Sequence, residues 1–282
     1  MTSSLPLFGA GLAVLAAIVY GAGDFTGALA SRRSHPLTAL AMVSLTSCVL
    51  LGALAVLWGE SLPSRSDLAW AGAAGLAGGV GLIAFYRGLT VGSAAVVAPT
   101  AGVVGAALPV VFVALTADLP TPLQMLGFGA ALAGIWLVAG SGSKGEAVNR
   151  RGFALAVFAG AAFGAFFLLI GHVETTSPFT PLAVGKVVGF LLALLLLIGR
   201  GKPSPSAAGR SLAVLGGILD AAGNSFYFIA QHITRLDIAV VLTSLYPAST
   251  VVLAYIILRE HISRRQAAGV ALCLLAITLI VL

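Results

Sequence analysis

Charge is scarce in this sequence. Only 9% of its 282 residues are Asp, Glu, Lys or Arg, while 59% are hydrophobic. A soluble domain carries about 25% charged residues, so this chain cannot cover a water-facing surface and lipid must cover most of it. Cysteine is nearly missing. Cys48 and Cys273 both fall inside apolar runs, which excludes a disulfide framework. The 15 basic residues outnumber the 9 acids, but they form no basic face and have no interleaved aromatics. Nucleic acid is therefore not an expected partner.

Motifs that carry reaction chemistry are also absent. His35, His172, His232 and His261 lie at the ends of apolar segments, too scattered for a metal site. No His-Glu-x-x-His and no Gly-x-Ser-x-Gly occurs. Gly21-x-Gly23 follows no strand and lacks a correctly placed third glycine, and residues 140–145 lack phosphate-loop spacing. No cofactor is implied. An intramembrane enzyme would need a nucleophile–base pair or a metal cluster within the spans, and none is legible.

What the chain does have is apolar runs of bilayer-spanning length, about 20 residues each. Ten can be read: Leu7–Ala30, Pro36–Trp58, Leu68–Leu89, Ala94–Thr116, Pro122–Ala139, Gly152–Val173, Phe179–Ile198, Ser211–Ile233, Ile238–Leu258 and Arg265–Leu282. The first ends in Ala28-Leu29-Ala30, similar to a signal-peptidase site. It lacks a basic leader and contains Asp24, so it reads as a span. The 35 glycines suit helices that pack closely in lipid. Pro99, Pro109 and Pro247 are expected to interrupt the fourth and ninth spans. Trp58 and Trp70 read as interfacial, and Phe163, Phe166 and Phe167 either line a cavity or face lipid, with lipid the default.

The two halves resemble each other. Arg87-Gly-Leu-Thr-Val-Gly-Ser-Ala-Ala-Val-Val aligns without a gap on Gln231-His-Ile-Thr-Arg-Leu-Asp-Ile-Ala-Val-Val. Asp118-Leu-Pro-Thr-Pro-Leu-Gln-Met-Leu-Gly lies over Glu260-His-Ile-Ser-Arg-Arg-Gln-Ala-Ala-Gly. Five spans per copy is an odd number, so the second copy must enter the membrane from the opposite side. Charge agrees: loops on one side carry twelve Lys and Arg, loops on the other carry only Arg65 and Arg235. Basic loops stay cytoplasmic, which places both termini outside. The expected fold is all-α, ten transmembrane helices as two inverted five-helix repeats, residues 1–141 and 152–282, joined by a linker at 142–151. Such inverted repeats mark many secondary transporters.

Tyr20-Gly-Ala-Gly-Asp-Phe in the first span is similar to an aromatic-Gly-x-x-x-Phe start. Leu258-Arg-Glu-His-Ile-Ser-Arg-Arg-Gln-Ala-Ala-Gly is similar to a Gly-Glu-x-x-x-x-x-Gln-x-x-Gly ending, with Arg259 where glycine is usual. With the five-plus-five layout, the chain resembles a pair of EamA modules of the drug/metabolite transporter superfamily. The resemblance implies a cavity surrounded by spans one to four and six to nine, with the fifth and tenth peripheral. It implies export of amino acids or related metabolites across the cell (inner or plasma) membrane.

The candidate substrate-binding residues come from polar groups inside apolar spans. Asp220, Asn224, Tyr227 and Gln231 are spaced 4, 3 and 4 apart. At about 100° per residue they share an arc of roughly 60°. An Asp near mid-bilayer costs about 2.5–3.5 kcal/mol on insertion scales, so the stripe faces protein or a water-filled cavity. Interhelical glue is the competing role. Tyr20, Asp24, Gly27 and Ser31 repeat that spacing in the first span. Asp24 suits a cationic group or a coupling proton, a simple pair, or the interface beyond Arg32. Gly75, Gly79, Leu82 and Tyr86 form a small-residue groove ending in an aromatic. Lys186, between Gly185 and Gly189, needs a partner, with Asp220 or Asp24 the candidates. The pair is either structural or, in a cavity, able to hold a zwitterion.

The reading that follows is a secondary transporter of a small polar or amphipathic metabolite such as an amino acid. It works by rocking one repeat against the other. Without a nucleotide-binding motif, its energy comes from a gradient, proton coupling included, or the process is passive. Multidrug or cation efflux, and a non-transporting membrane scaffold or sensor, are the alternatives. Partners beyond the bilayer and a small-molecule substrate are not implied, and monomer and homodimer are equally compatible.

Overall fold

The computed structural model describes residues 4–116, 121–139, 149–198, 206–234, 236–259 and 262–281. The helices are α1 (Ser4–Arg32), α2 (Pro36–Leu57), α3 (Arg65–Val91), α4 (Ala94–Thr116) and α5 (Pro122–Ala139). They continue with α6 (Arg150–Ile170), α7 (Phe179–Leu197), α8 (Ala207–Ile233), α9 (Leu236–Thr243), α10 (Tyr246–Leu258) and α11 (Arg264–Val281). Among the described residues, α1, α2, α3, α6, α7 and α8 are both long and apolar enough to cross a membrane. Their outward faces carry Leu7, Val56, Leu57, Leu195 and Ile198, all largely exposed. The chain is an all-α polytopic membrane protein. The motif residues Asp118 and Glu260, and most of the 142–151 linker, lie outside the described residues.

Local chemistry sets the helix ends. Ser64 and Ser206 accept the N–H groups of Asp67 and Gly209 at 3.0 and 3.1 Å, capping α3 and α8. The Asn149 Oδ1 does the same for α6 through Arg151 and Gly152. α7 has no cap of its own, since Pro178 precedes it. Glu60, from the α2–α3 loop, takes that role from a distance. Its carboxylate accepts the N–H groups of Phe179 and Thr180 at 3.1 and 2.8 Å, where the helix dipole favours an anion. Beside it Asp67 Oδ1 accepts the Glu174 N–H at 2.9 Å. The α2–α3 and α6–α7 loops are thereby tied together.

One expectation about proline changes and another holds. α4 runs unbroken through Pro99 and Pro109, because helix packing and neighbouring backbone bonds carry a membrane helix past a lost N–H. The ninth span does divide, into α9 and α10. Pro247 sits in the first turn of α10, and its ring would clash with the carbonyl four residues earlier. At the break the Val240 carbonyl accepts both the backbone N–H and the hydroxyl of Ser244, at 2.8 and 2.7 Å, which ends α9. Arg259 ends α10 at φ 53°. That left-handed conformation is the physical reason for the glycine usual at this motif position.

Helices of the two halves interleave. α1 lies along α8, α3 along α6, α2 along α7, and α5 along α11, while α4 packs on α6 and α10. Small residues permit the closest crossings. A Cβ on Gly75 would run into the backbone of Gly185, and one on Gly223 would lie 2.8 Å from the Tyr20 ring. Cys48 and Cys273 are free thiols. Gly75→Val should therefore cost about 1–3 kcal/mol by overpacking and lower the thermal unfolding midpoint in detergent. Gly52→Val, where a Cβ meets nothing within 4 Å, should leave that midpoint nearly unchanged. Equal shifts would contradict this packing.

Candidate functional site

The interior charge rests on α7 and α8. Lys186 Nζ lies 2.8 Å from Asp220 Oδ1 and 2.7 Å from Oδ2. Both side chains keep a small exposure, 15% and 13%, which places them at a cavity wall rather than in sealed packing. Asp220 accepts more than the ammonium. Ser47 on α2 donates its hydroxyl to Oδ2 at 2.6 Å, and Asn224 Nδ2 donates to Oδ1 at 3.1 Å. A buried ion pair holds when further hydrogen bonds satisfy its remaining lone pairs, and Ser47 and Asn224 supply them.

The wall belongs to a central cavity of about 80 Å³ between α1, α2, α3, α6, α7, α8 and α10. Among the described residues none of α4, α5, α9 or α11 lines it, so the fourth span, expected around the cavity, stands outside it together with the fifth and tenth. Asp24, Lys186 and Asp220 are its charged members, with the Tyr20 and Tyr246 rings nearby. Phe163, Phe166 and Phe167 line it as well, which corrects their assignment to lipid. Gly160 and Gly164 seat α6 against the α4 backbone, and this close fit turns the three rings inward. Gly75, Gly78 and Gly79, with Gly185 and Gly189, give a smooth floor where α3 meets α7.

The cavity lining runs from Tyr20, Asp24 and Tyr246 at mid-bundle to Ala71, Ile170 and Pro181, toward the end of the bundle that carries the α2–α3 and α6–α7 loops. The opposite end is closed. Arg32 Nη2 and Nε donate to the Leu89 carbonyl at 3.0 and 3.3 Å, fastening the end of α1 to α3. Asn149 Nδ2 donates to the Val91 carbonyl at 2.9 Å, and Gly92 packs against Gly152.

Of the eight residues singled out by sequence, Tyr20, Asp24, Lys186 and Asp220 meet at the cavity. The other four stand behind its wall. Asn224 is buried and holds Asp220, donating also to its backbone carbonyl at 2.7 Å. Tyr227 is fully buried with its ring 4.9 Å from Phe167. Gln231 lies one turn further, its Oε1 buried without a partner. Tyr86, 1% exposed, lies across Gly27. Lys186 pairs with Asp220 rather than Asp24. Asp24 itself makes no hydrogen bond or ion pair with a described residue, though it stands within electrostatic reach of both partners. Ser47 and Tyr246 were not singled out. A serine in a small-residue span and a tyrosine beside a proline carry no periodic signal.

Lys186→Met alone should strand the Asp220 carboxylate and cost roughly 3 kcal/mol. Lys186→Met with Asp220→Leu should recover at least half of the loss in thermal unfolding midpoint. A double variant as unstable as the two singles combined would contradict a mutually neutralising pair.

Comparison with known proteins follows this geometry. The model of the EamA-like transporter family matches the chain twice, over residues 7–140 and 150–282. A solved crystal structure superimposes with a TM-score of 0.67 at 18% identity, covering 99% of this chain and 97% of the other. That likeness shows a common fold. Among curated proteins no match is found.

Proposed function

Because the chain belongs to the EamA-like transporter family, we propose that it is a secondary transporter carrying a small polar or amphipathic metabolite through the central cavity by alternating access. The observation that carries this reading is the Lys186–Asp220 pair on the wall of a central cavity. A charged site at mid-bundle, lined by helices of both halves and tied shut toward one face, is what a transporter needs at one point of its cycle. A scaffold or sensor has no use for such a charged interior.

Two inverted five-span repeats, 1–141 and 152–282, agree with the helix pairing. Counting α9 and α10 as one span, exchange of the first five spans with the last five turns the α1–α8 contact into α6–α3. The same exchange turns α4–α6 into the contact of α9 and α10 with α1, and returns α2–α7 and α5–α11 to themselves. The twelve-to-two division of basic loop residues supports cytoplasmic basic loops and external termini. On that orientation the end tied shut by Arg32 faces the cytoplasm.

The packing favours moving bodies that mix the two repeats. α3, α4 and α6 form one tight group, and α1, α8 and α10 form the other. Separating the repeats as wholes would tear α1 from α8, where Gly23 and Gly216 admit close backbone contact. Rocking one mixed group against the other would instead release Arg32 from Leu89 and open the closed end. The cavity volume suits a single small metabolite, since a water needs about 10–15 Å³ on the same measure and large drugs need far more. Amino acids and small amines are the first substrates to try.

Counterflow in proteoliposomes tests the reading. Vesicles loaded with unlabelled amino acids and small amines are given labelled members singly, with and without a pH gradient, for wild type and Asp220→Asn. The expected result is accumulation of at least one label, reduced tenfold or more (about 1.4 kcal/mol) in the variant. No accumulation of any label by folded protein would count against transport of these classes.

A further inference from the structure

We infer that the cavity selects a monovalent organic ammonium with an apolar body and no carboxylate, held by Asp24 with the Tyr20 and Tyr246 hydroxyls. This inference rests on the transport reading above and specifies the substrate class of the same cavity.

Charge counting comes first. The cavity holds two carboxylates, Asp24 and Asp220, and one ammonium, Lys186. Lys186 already faces both oxygens of Asp220 at 2.8 and 2.7 Å. That pair is therefore neutral and occupied, and Asp24 is the cavity carboxyl with no counter-ion among the described residues. A monocation lets it ionise with the site neutral overall. A zwitterion brings a carboxylate for which no free cation is at hand, and an anion brings no counter-ion at all.

Hydrogen-bonding capacity gives the same answer. Asp24 bonds to no described residue, and the Tyr20 and Tyr246 hydroxyls are both buried without a partner. Tyr246 is only 5% exposed yet lines the cavity. Buried polar groups left unpaired are costly; of those without a partner among the described residues, the Tyr20 and Tyr246 hydroxyls are the two whose side chains line the cavity, and they can bond a ligand there. A carboxylate and two phenol oxygens offer acceptors, which matches the N–H donors of an ammonium. The one cationic donor able to hold a substrate carboxylate is Lys186, and freeing it would leave Asp220 with only Ser47 and Asn224. Among the described residues no arginine lines the cavity, so none of them offers the bidentate fork that usually reads carboxylate or phosphate.

The walls complete the case. Phe163, Phe166 and Phe167 stand on one side of the cavity, beside Leu82 and Ile170. Aromatic faces attract cations, and the same rings accept a hydrocarbon tail. An inorganic cation would gain little from such a lining.

Equilibrium binding to the full chain in nanodiscs tests the assignment with three probes that share a ring and a two-carbon chain. They are 2-phenylethylamine, phenylalanine and 3-phenylpropionate. The amine should bind saturably, phenylalanine at least tenfold more weakly (about 1.4 kcal/mol), and the acid not at all. Asp24→Asn, which keeps the side-chain shape, should weaken the amine by about thirtyfold or more. Tyr246→Phe, which keeps the ring, should weaken it less, with unfolding midpoints confirming that both variants fold. Phenylalanine binding as tightly as the amine, amine binding indifferent to Asp24→Asn, or no binding of any probe would each overturn the inference. Counterflow of the same probes separates it from the transport reading. Phenylalanine exchanged as well as the amine would sink only the ammonium assignment. Amine bound through Asp24 but never exchanged would sink only transport.

Discussion

Everything polar in this bundle is arranged around one ion pair, Lys186 with Asp220. An ammonium and a carboxylate placed in a lipid-embedded interior each carry a penalty of several kcal/mol. Their mutual contact at 2.7–2.8 Å offsets that penalty only with help. Ser47 from α2 and Asn224 from the next turn of α8 give the help, each bonding one of the two carboxylate oxygens alongside the ammonium. Three helices, α2, α7 and α8, are thereby fixed relative to one another by a few hydrogen bonds. Asp24, opposite, is left as the charge that nothing in the described protein answers.

The rest of the architecture follows from keeping that pair wet on one side and dry on the other. Gly75 and Gly185 bring α3 and α7 into backbone contact below the pair, and the absent side chains leave the space that becomes the cavity. On the far side, the α1–α8 contact is sealed by Gly23, Gly216 and Gly223. In a membrane these contacts are van der Waals packing rather than hydrophobic burial. Small residues thus set where helices touch and where they part. The tethers from Glu60 and Asp67 tie the loops together at one end, while Arg32 on Leu89 closes the other.

The sequence alone revealed the membrane character, because 59% hydrophobic residues with 9% charged ones leave no alternative. The α8 stripe was equally legible, since four polar residues within one arc stand out against an apolar background. What periodicity does not encode is depth. Asp220 reaches the cavity while Asn224 and Tyr227, on the same arc, lie behind Phe167 and Asp220 itself. The three phenylalanines illustrate the converse. An aromatic cluster on an apolar helix looks the same whether it faces lipid or a void, and only the glycines that seat α6 decide the matter. The Lys186 partner was narrowed to two acids, but choosing between them required helix geometry. Pro247 broke its helix and Pro99 did not, and that difference depends on neighbours rather than on the residue.

Whether the pair borders water or is packed shut is the question on which the account stands. With Cys48 and Cys273 replaced by serine, single cysteines at Gly78, Phe166 and Asp24 are treated with a small, membrane-impermeant thiol reagent. Cysteine at Ala156, fully buried in the bundle, is the control. The account predicts labelling at the three cavity positions and none at Ala156. Complete protection of all three in folded protein would contradict it, and would make the polar cluster interhelical glue.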